Sequence, residues 1–314
     1  MKINKFSKIL FSNILLSAVL FCIFEIIAVH CLSTYWIHSG KSLFTERLSY
    51  FFPLKKGIME DVYNYRSAEY RQGKKLPVVL FGCSYTYGSE LNENETFGYV
   101  LADYTDRTVY NKGMSGGSCA SMLYLLQKPE FKKEVPQAEY FIYVYIPDHL
   151  RRVYMNSHEW FHEYMLAAYK ITPNNELKCR KLNKFKLLLY STATYRFFQS
   201  FYSRFKFSHN KIDFNLFFRI IEESVKITKN KYPDSKFVIL VYDDAPEYYS
   251  LNLEEEEGQF ENFARKHGIK VLYTKKMSIG RDLLSGKYRA KDNIHPSKDV
   301  WKILVPEIAE ELKL

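Results

Sequence analysis

Residues 76–88 read L-P-V-V-L-F-G-C-S-Y-T-Y-G. Val78 to Phe81 form an unbroken apolar run, without the alternation of a strand that has one wet face. Such a run suits a strand buried on both sides. Gly82 stops it, and Gly88 closes a turn that holds Cys83 and Ser84 side by side. A nucleophile held at a strand end and a plain strand-to-helix turn are both open readings of this stretch.

Working outward, the same pattern recurs. T-V-Y-N at 108–111, Y-F-I-Y-V-Y-I at 140–146, K-F-V-I-L-V-Y at 236–242 and I-K-V-L-Y at 269–273 are further strands. Helical stretches are expected at 96–104, from the glycines after Asn111 to about 126, at 214–230, at 256–267 ahead of Gly268, and from Ser297. Trp301, Leu304, Val305 and Ile308 share one face of that last helix. Apolar strands alternating with helices predict an α/β fold, a parallel sheet covered on both faces. Ligands of such sheets bind beyond the strands' carboxyl ends. That rule puts 82–90, 111–118, 147–152 and 243–247 on one rim, with the loop at 287–297 able to fold over it.

The chain has 314 residues, a net charge of +10 and five cysteines without a C-x-x-C pair. No zinc module or nucleic-acid-binding signature accompanies the positive charge, so no nucleic-acid partner is expected. Lys2, Lys5 and Lys8 precede an apolar run from Ile9 to Leu32, interrupted by Ser12, Asn13, Ser17 and Glu25. Its length suits an uncleaved, membrane-spanning signal anchor, and the lysines favour a cytoplasmic N-terminus with an exported body. The expected organisation is an anchor at 1–32, a juxtamembrane arm at 33–75 and a globular body at 76–314. Residues 153–211, dense in aromatic and basic side chains, are read as a helical insertion that caps the site or leans on the membrane. Within it, H-E-W-F-H at 158–162 spaces two histidines as a zinc helix would but has no evident third ligand.

Three segments carry the candidate chemistry. Ser84 sits in a glycine-flanked turn where backbone N–H groups can face a developing oxyanion. Asp292 and His295 lie three apart in K-D-N-I-H-P-S (291–297). Histidine can take a serine proton while a carboxylate fixes its tautomer. Gly113, Gly116 and Gly117 follow the second strand, where glycine lets backbone approach a ligand. Each segment alone also fits a structural turn.

In order and spacing, Gly82-Cys83-Ser84, the glycine turn and Asp292-Asn293-Ile294-His295-Pro296 resemble the blocks of the SGNH (GDSL-like) hydrolase superfamily. The resemblance implies a flavodoxin-like three-layer α/β/α sandwich with a mostly five-stranded parallel sheet, and no metal or organic cofactor. It implies Ser84 as nucleophile, His295 as base, Asp292 as its partner and the Gly116 N–H as oxyanion donor. Cys83 stands where the family has aspartate. Pro147, which has no N–H, stands near the family's oxyanion asparagine. Asp148, His149 and Arg151 are therefore candidate substitutes for contacting oxyanion or substrate, with Arg152 nearby. The expected activity is hydrolysis of an acyl ester, taken as an acetyl group on an envelope polysaccharide. An O-acetyltransferase using the same triad, a non-catalytic glycan-binding protein and a membrane-surface lipase are the alternatives.

Overall fold

The structure, a computed structural model, describes residues 16, 19–24, 68–70, 73–154, 168–180, 214–242 and 253–314. The chain divides into two compact units, one of residues 1–61 with 182–211 and one of residues 62–181 with 212–314. Little of the first unit is described beyond a helical stretch at 19–24 with exposed side chains. Most of the expected anchor therefore lies outside the described residues, and no described helix is long and apolar enough to cross a membrane.

The second unit is built on a six-stranded sheet. Its strands are β1 (Ala68–Tyr70), β2 (Lys75–Phe81), β3 (Arg107–Asn111), β4 (Tyr140–Tyr145), β7 (Lys236–Val241) and β8 (Lys270–Tyr273), in the order β1-β3-β2-β4-β7-β8. Between β4 and β7 in sequence, β5 (Ala168–Ile171) and β6 (Leu177–Arg180) form a separate antiparallel hairpin. The five expected strands pair in parallel, whereas β1 joins β3 antiparallel at the edge. Taken in chain order, the parallel strands lie as 2-1-3-4-5, the doubly wound flavodoxin-like arrangement.

Two expectations change. The sheet begins inside the stretch read as a juxtamembrane arm, because β1 supplies an extra edge strand. Within the insertion, 153–154 end a helix and 168–180 form a β-hairpin; the rest, including 158–162, lies outside the described residues.

Period-two alternation explains the layers. Phe141, Tyr143 and Tyr145 of β4 enter one apolar cluster, with side chains of α3 (Cys119–Gln127), α6 (Asn215–Lys231) and α7 (Leu253–His267). Tyr140, Ile142 and Val144 enter the other, with α2 (Phe97–Thr105) and α9 (Lys298–Leu312). Both faces are thus covered, which is why these strands carry no polar alternation. In the second cluster the Trp301 indole stacks on Phe97, with centroids 4.5 Å apart, and leans on Tyr242 at 5.6 Å.

Trp301 is fully buried, and its indole N–H is unpartnered among the described residues. Trp301→Ala should lower unfolding free energy by about 3 kcal/mol, the low end for a buried tryptophan, because a desolvated donor is removed with the ring. Urea unfolding followed by circular dichroism measures this.

Candidate active site

The turn after β2 is fixed by contacts that leave no room for a side chain at residue 82. A β carbon there would stand 2.1 Å from Thr86 Oγ1 and 3.0 Å from the Val144 carbonyl oxygen, and φ is +158°. Ser84 then opens the one-turn helix α1 (Ser84–Tyr87), closed by Gly88 in the left-handed region.

The loop after β3 packs directly on this turn. Met114 N–H donates to the Gly82 carbonyl at 3.1 Å, and Gly117 N–H donates to Met114 O at 2.7 Å. Gly116, at φ +63°, occupies the bend. Asn111, fully buried, ties the two segments: its Nδ2 donates to Thr86 O at 2.8 Å and its Oδ1 accepts from Gly113 N–H at 2.9 Å. An Asn at a strand end before Lys-Gly was a readable sign of such a local turn.

A third segment comes from α5 (Asp148–Tyr154), beyond β4. Arg152 NH1 donates to Gly117 O at 2.8 Å while its Nε donates to Asp148 Oδ2 at 2.6 Å. Asp148, itself buried, thus meets the glycine turn through Arg152. His149 is a correction. One position further round the helix, it faces the core with Leu150 and Val153, fully buried, between Tyr143 and Tyr145. Its Nδ1 shares a 2.6 Å hydrogen bond with Tyr143 Oη. Burial, reinforced by the Arg152 cation, holds its pKa well below the usual histidine value, so the ring is a neutral core element and not a substrate contact. Arg151 lies on α5, with its side chain outside the described residues.

The fourth segment is a small hairpin before α9. Ser297 N–H donates to Tyr288 O and Ala290 N–H to His295 O, both at 2.7 Å. At its tip Asp292 Oδ1 accepts the N–H groups of Ile294 and His295, each at 3.0 Å. Asp292 Oδ2 is left for His295 Nδ1, with which it forms a short hydrogen bond. Asn293 makes this reach possible by adopting φ +57°, a conformation asparagine tolerates better than most residues.

Tyr85 joins the hairpin to the Ser84 turn. Its hydroxyl donates to Ile294 O at 2.7 Å, and its ring centroid lies 5.6 Å from that of His295. No hydrogen bond joins Ser84 to His295 among the described residues; from the Ser84 turn it is the Tyr85 ring that lies against the imidazole. A tyrosine beside Ser84 carries no sequence signal for this contact, since its partner lies 209 positions away. Cys83 is fully buried, and burial raises its pKa against the partial opposition of Arg152. A protonated, inaccessible thiol is a poor nucleophile; Ser84, at 7% exposure, is the more accessible of the two. Cys83 and Cys119 are both free thiols.

A cavity of about 310 Å³ opens elsewhere, at the amino ends of β7 and β8. Lys229, among its lining, stands at the carboxyl end of α6, where positive charge offsets the helix dipole. No rim segment lines it.

No protein-family model matches the chain, and no curated protein matches it. Among solved structures with a similar chain course is a G-D-S-L family lipolytic protein from Desulfitobacterium hafniense DCB-2, at 16% identity over 76% of this chain and 99% of that one, TM-score 0.44. An extracellular lipase from Streptomyces rimosus follows at 12% identity, 75% and 99% coverage and TM-score 0.42. A family two carbohydrate esterase from Cellvibrio japonicus gives 11% identity and TM-score 0.41, with 77% of this chain covering 62% of that one.

The Asp292 environment sets a pH dependence. Burial opposes ionisation, but the His295 ring and the two N–H donors outweigh it and hold the carboxyl below its usual range. A lowered folded-state pKa adds stability that is complete above the unfolded carboxylate pKa and disappears as pH falls through the folded one. The stability gap between the protein and Asp292→Asn should therefore be constant near neutrality and close on acidification below the ordinary carboxylate range. Thermal melts across pH 2–7 check it.

Proposed function

We propose that the protein is a serine esterase acting on small acyl esters. The observation that carries the reading is the convergence of the Asp292–His295 hairpin on the Ser84 turn through Tyr85. In this mechanism Ser84 Oγ attacks the ester carbonyl as His295 Nε2 takes its proton, while Asp292 holds Nδ1 and stabilises the imidazolium. The tetrahedral oxyanion is met by the N–H groups of Ser84 and Gly116. His295 then protonates the leaving alkoxide, and water, activated by the same imidazole, releases the acid from the acyl-serine. Backbone donors aimed at the oxyanion act before the reaction begins and so need no reorganisation, which is what gives them their catalytic worth.

An acetyl group on an envelope polysaccharide is the substrate we favour, with the body exported on the N-terminal anchor. The lysine-led apolar run at 9–32 supports that location. Pro147 in place of a third oxyanion donor forfeits about 3–4 kcal/mol of transition-state stabilisation relative to a site that has one. Water and an alcohol acceptor compete for the same acyl-serine, so an O-acetyltransferase on the same residues is the second reading. Product partition with and without a glycan acceptor separates the two.

Ser84→Ala should abolish fluorophosphonate labelling and cut acetyl-ester hydrolysis by roughly 10⁴-fold or more. Cys83→Ala should retain both. Labelling that persists in Ser84→Ala would sink the serine mechanism.

A further inference from the structure

We propose that Tyr85 is a positioning residue, a latch that fixes the His295 imidazole relative to Ser84; the proposal rests on the esterase reading for its catalytic meaning. A phenol this buried, at 4% exposure, needs a hydrogen-bond partner, and it takes the carbonyl of Ile294, the residue preceding His295. That carbonyl belongs to the turn whose N–H groups already clasp Asp292 Oδ1. One bond from Tyr85 therefore restrains carboxylate and imidazole together.

The same ring also packs against the buried core. Tyr85 meets Tyr242 edge-on, at 5.3 Å and 77°, and Tyr242 leans on Trp301. Trp301 in turn stacks on Phe97 of α2. The imidazole thus leans on a buried aromatic column. Because Tyr85 follows Ser84 directly on the one-turn helix α1, any displacement of the hairpin must pull against the helix that presents the serine. The Ile294 side chain, half exposed, packs too little to hold the hairpin by itself.

The test compares full-length protein with Tyr85→Phe, His295→Ala and the double variant, reading three quantities. Tyr85→Phe keeps the ring contacts and deletes only the hydroxyl. It should slow fluorophosphonate labelling of Ser84 by about tenfold to 100-fold, the scale on which small misplacement of a catalytic group acts. Melting temperature should stay nearly unchanged. In the His295→Ala background the same substitution should add nothing, since its effect passes through the imidazole; a merely structural tyrosine would give multiplying losses. Hydrogen exchange of residues 291–297 should quicken in Tyr85→Phe. Wild-type labelling in Tyr85→Phe, or multiplying losses, would overturn the latch. Should Ser84 fail to label in the unsubstituted protein, the esterase reading falls, and exchange alone decides: faster exchange upholds the latch and unchanged exchange refutes it.

Discussion

Residue 82 has room for no β carbon, because the Thr86 hydroxyl and the Val144 carbonyl already fill the space around its Cα. That steric fact lets β2 turn sharply at the carboxyl edge of the sheet. It also leaves the Gly82 carbonyl open to Met114 N–H, so the loop after β3 is drawn onto the same turn. Gly113 is bound by the same closeness, since a β carbon there would lie 2.4 Å from Tyr87 N. Two backbones pressed together in this way leave no room for a side chain between them.

Buried charge around the turn is kept only where it is answered. Arg152 reaches both a carboxylate and a peptide carbonyl, matching its forked donors to two acceptors. At the opposite pole of the sheet Arg107, also buried, meets Glu139 and the Leu76 carbonyl. Removing the Arg152 guanidinium would strand the buried Asp148 carboxylate away from water, which costs more than the pair itself contributes. These two residues pin the glycine loop at one end of the sheet and the start of β2 at the other.

Much of this was legible in the sequence, for a physical reason. A strand buried on both faces has to be apolar throughout, so V-V-L-F, Y-F-I-Y-V-Y and F-V-I-L-V announce themselves, and the helices between them follow from their length. The D-x-x-H-P hairpin was legible because its geometry is local: an aspartate, two following amides and an imidazole. What stayed hidden is non-local or too short to have a period. Ala68–Tyr70 offers three residues, and its place in the sheet depends on β3 leaving an open edge. His149 was misread because the one-residue difference from Asp148 decides rim or core only once the phase of α5 is known. Tyr85 looked like any aromatic in a turn until its partner arrived from the far end of the chain.

The hairpin that pairs Asp292 with His295 closes over three residues, whereas its tie to Tyr85 spans 209. The entropy of closing a loop grows only as the logarithm of its length, by about 0.6 kcal/mol per doubling, so the long tie is thermodynamically tolerable. Kinetically the two events differ. The carboxylate–imidazole unit can take shape early, as a local turn, while its delivery to the serine waits for distant parts of the chain to collapse together. A refolding population would accordingly form the Asp292–His295 pair before the hairpin reaches the Ser84 turn.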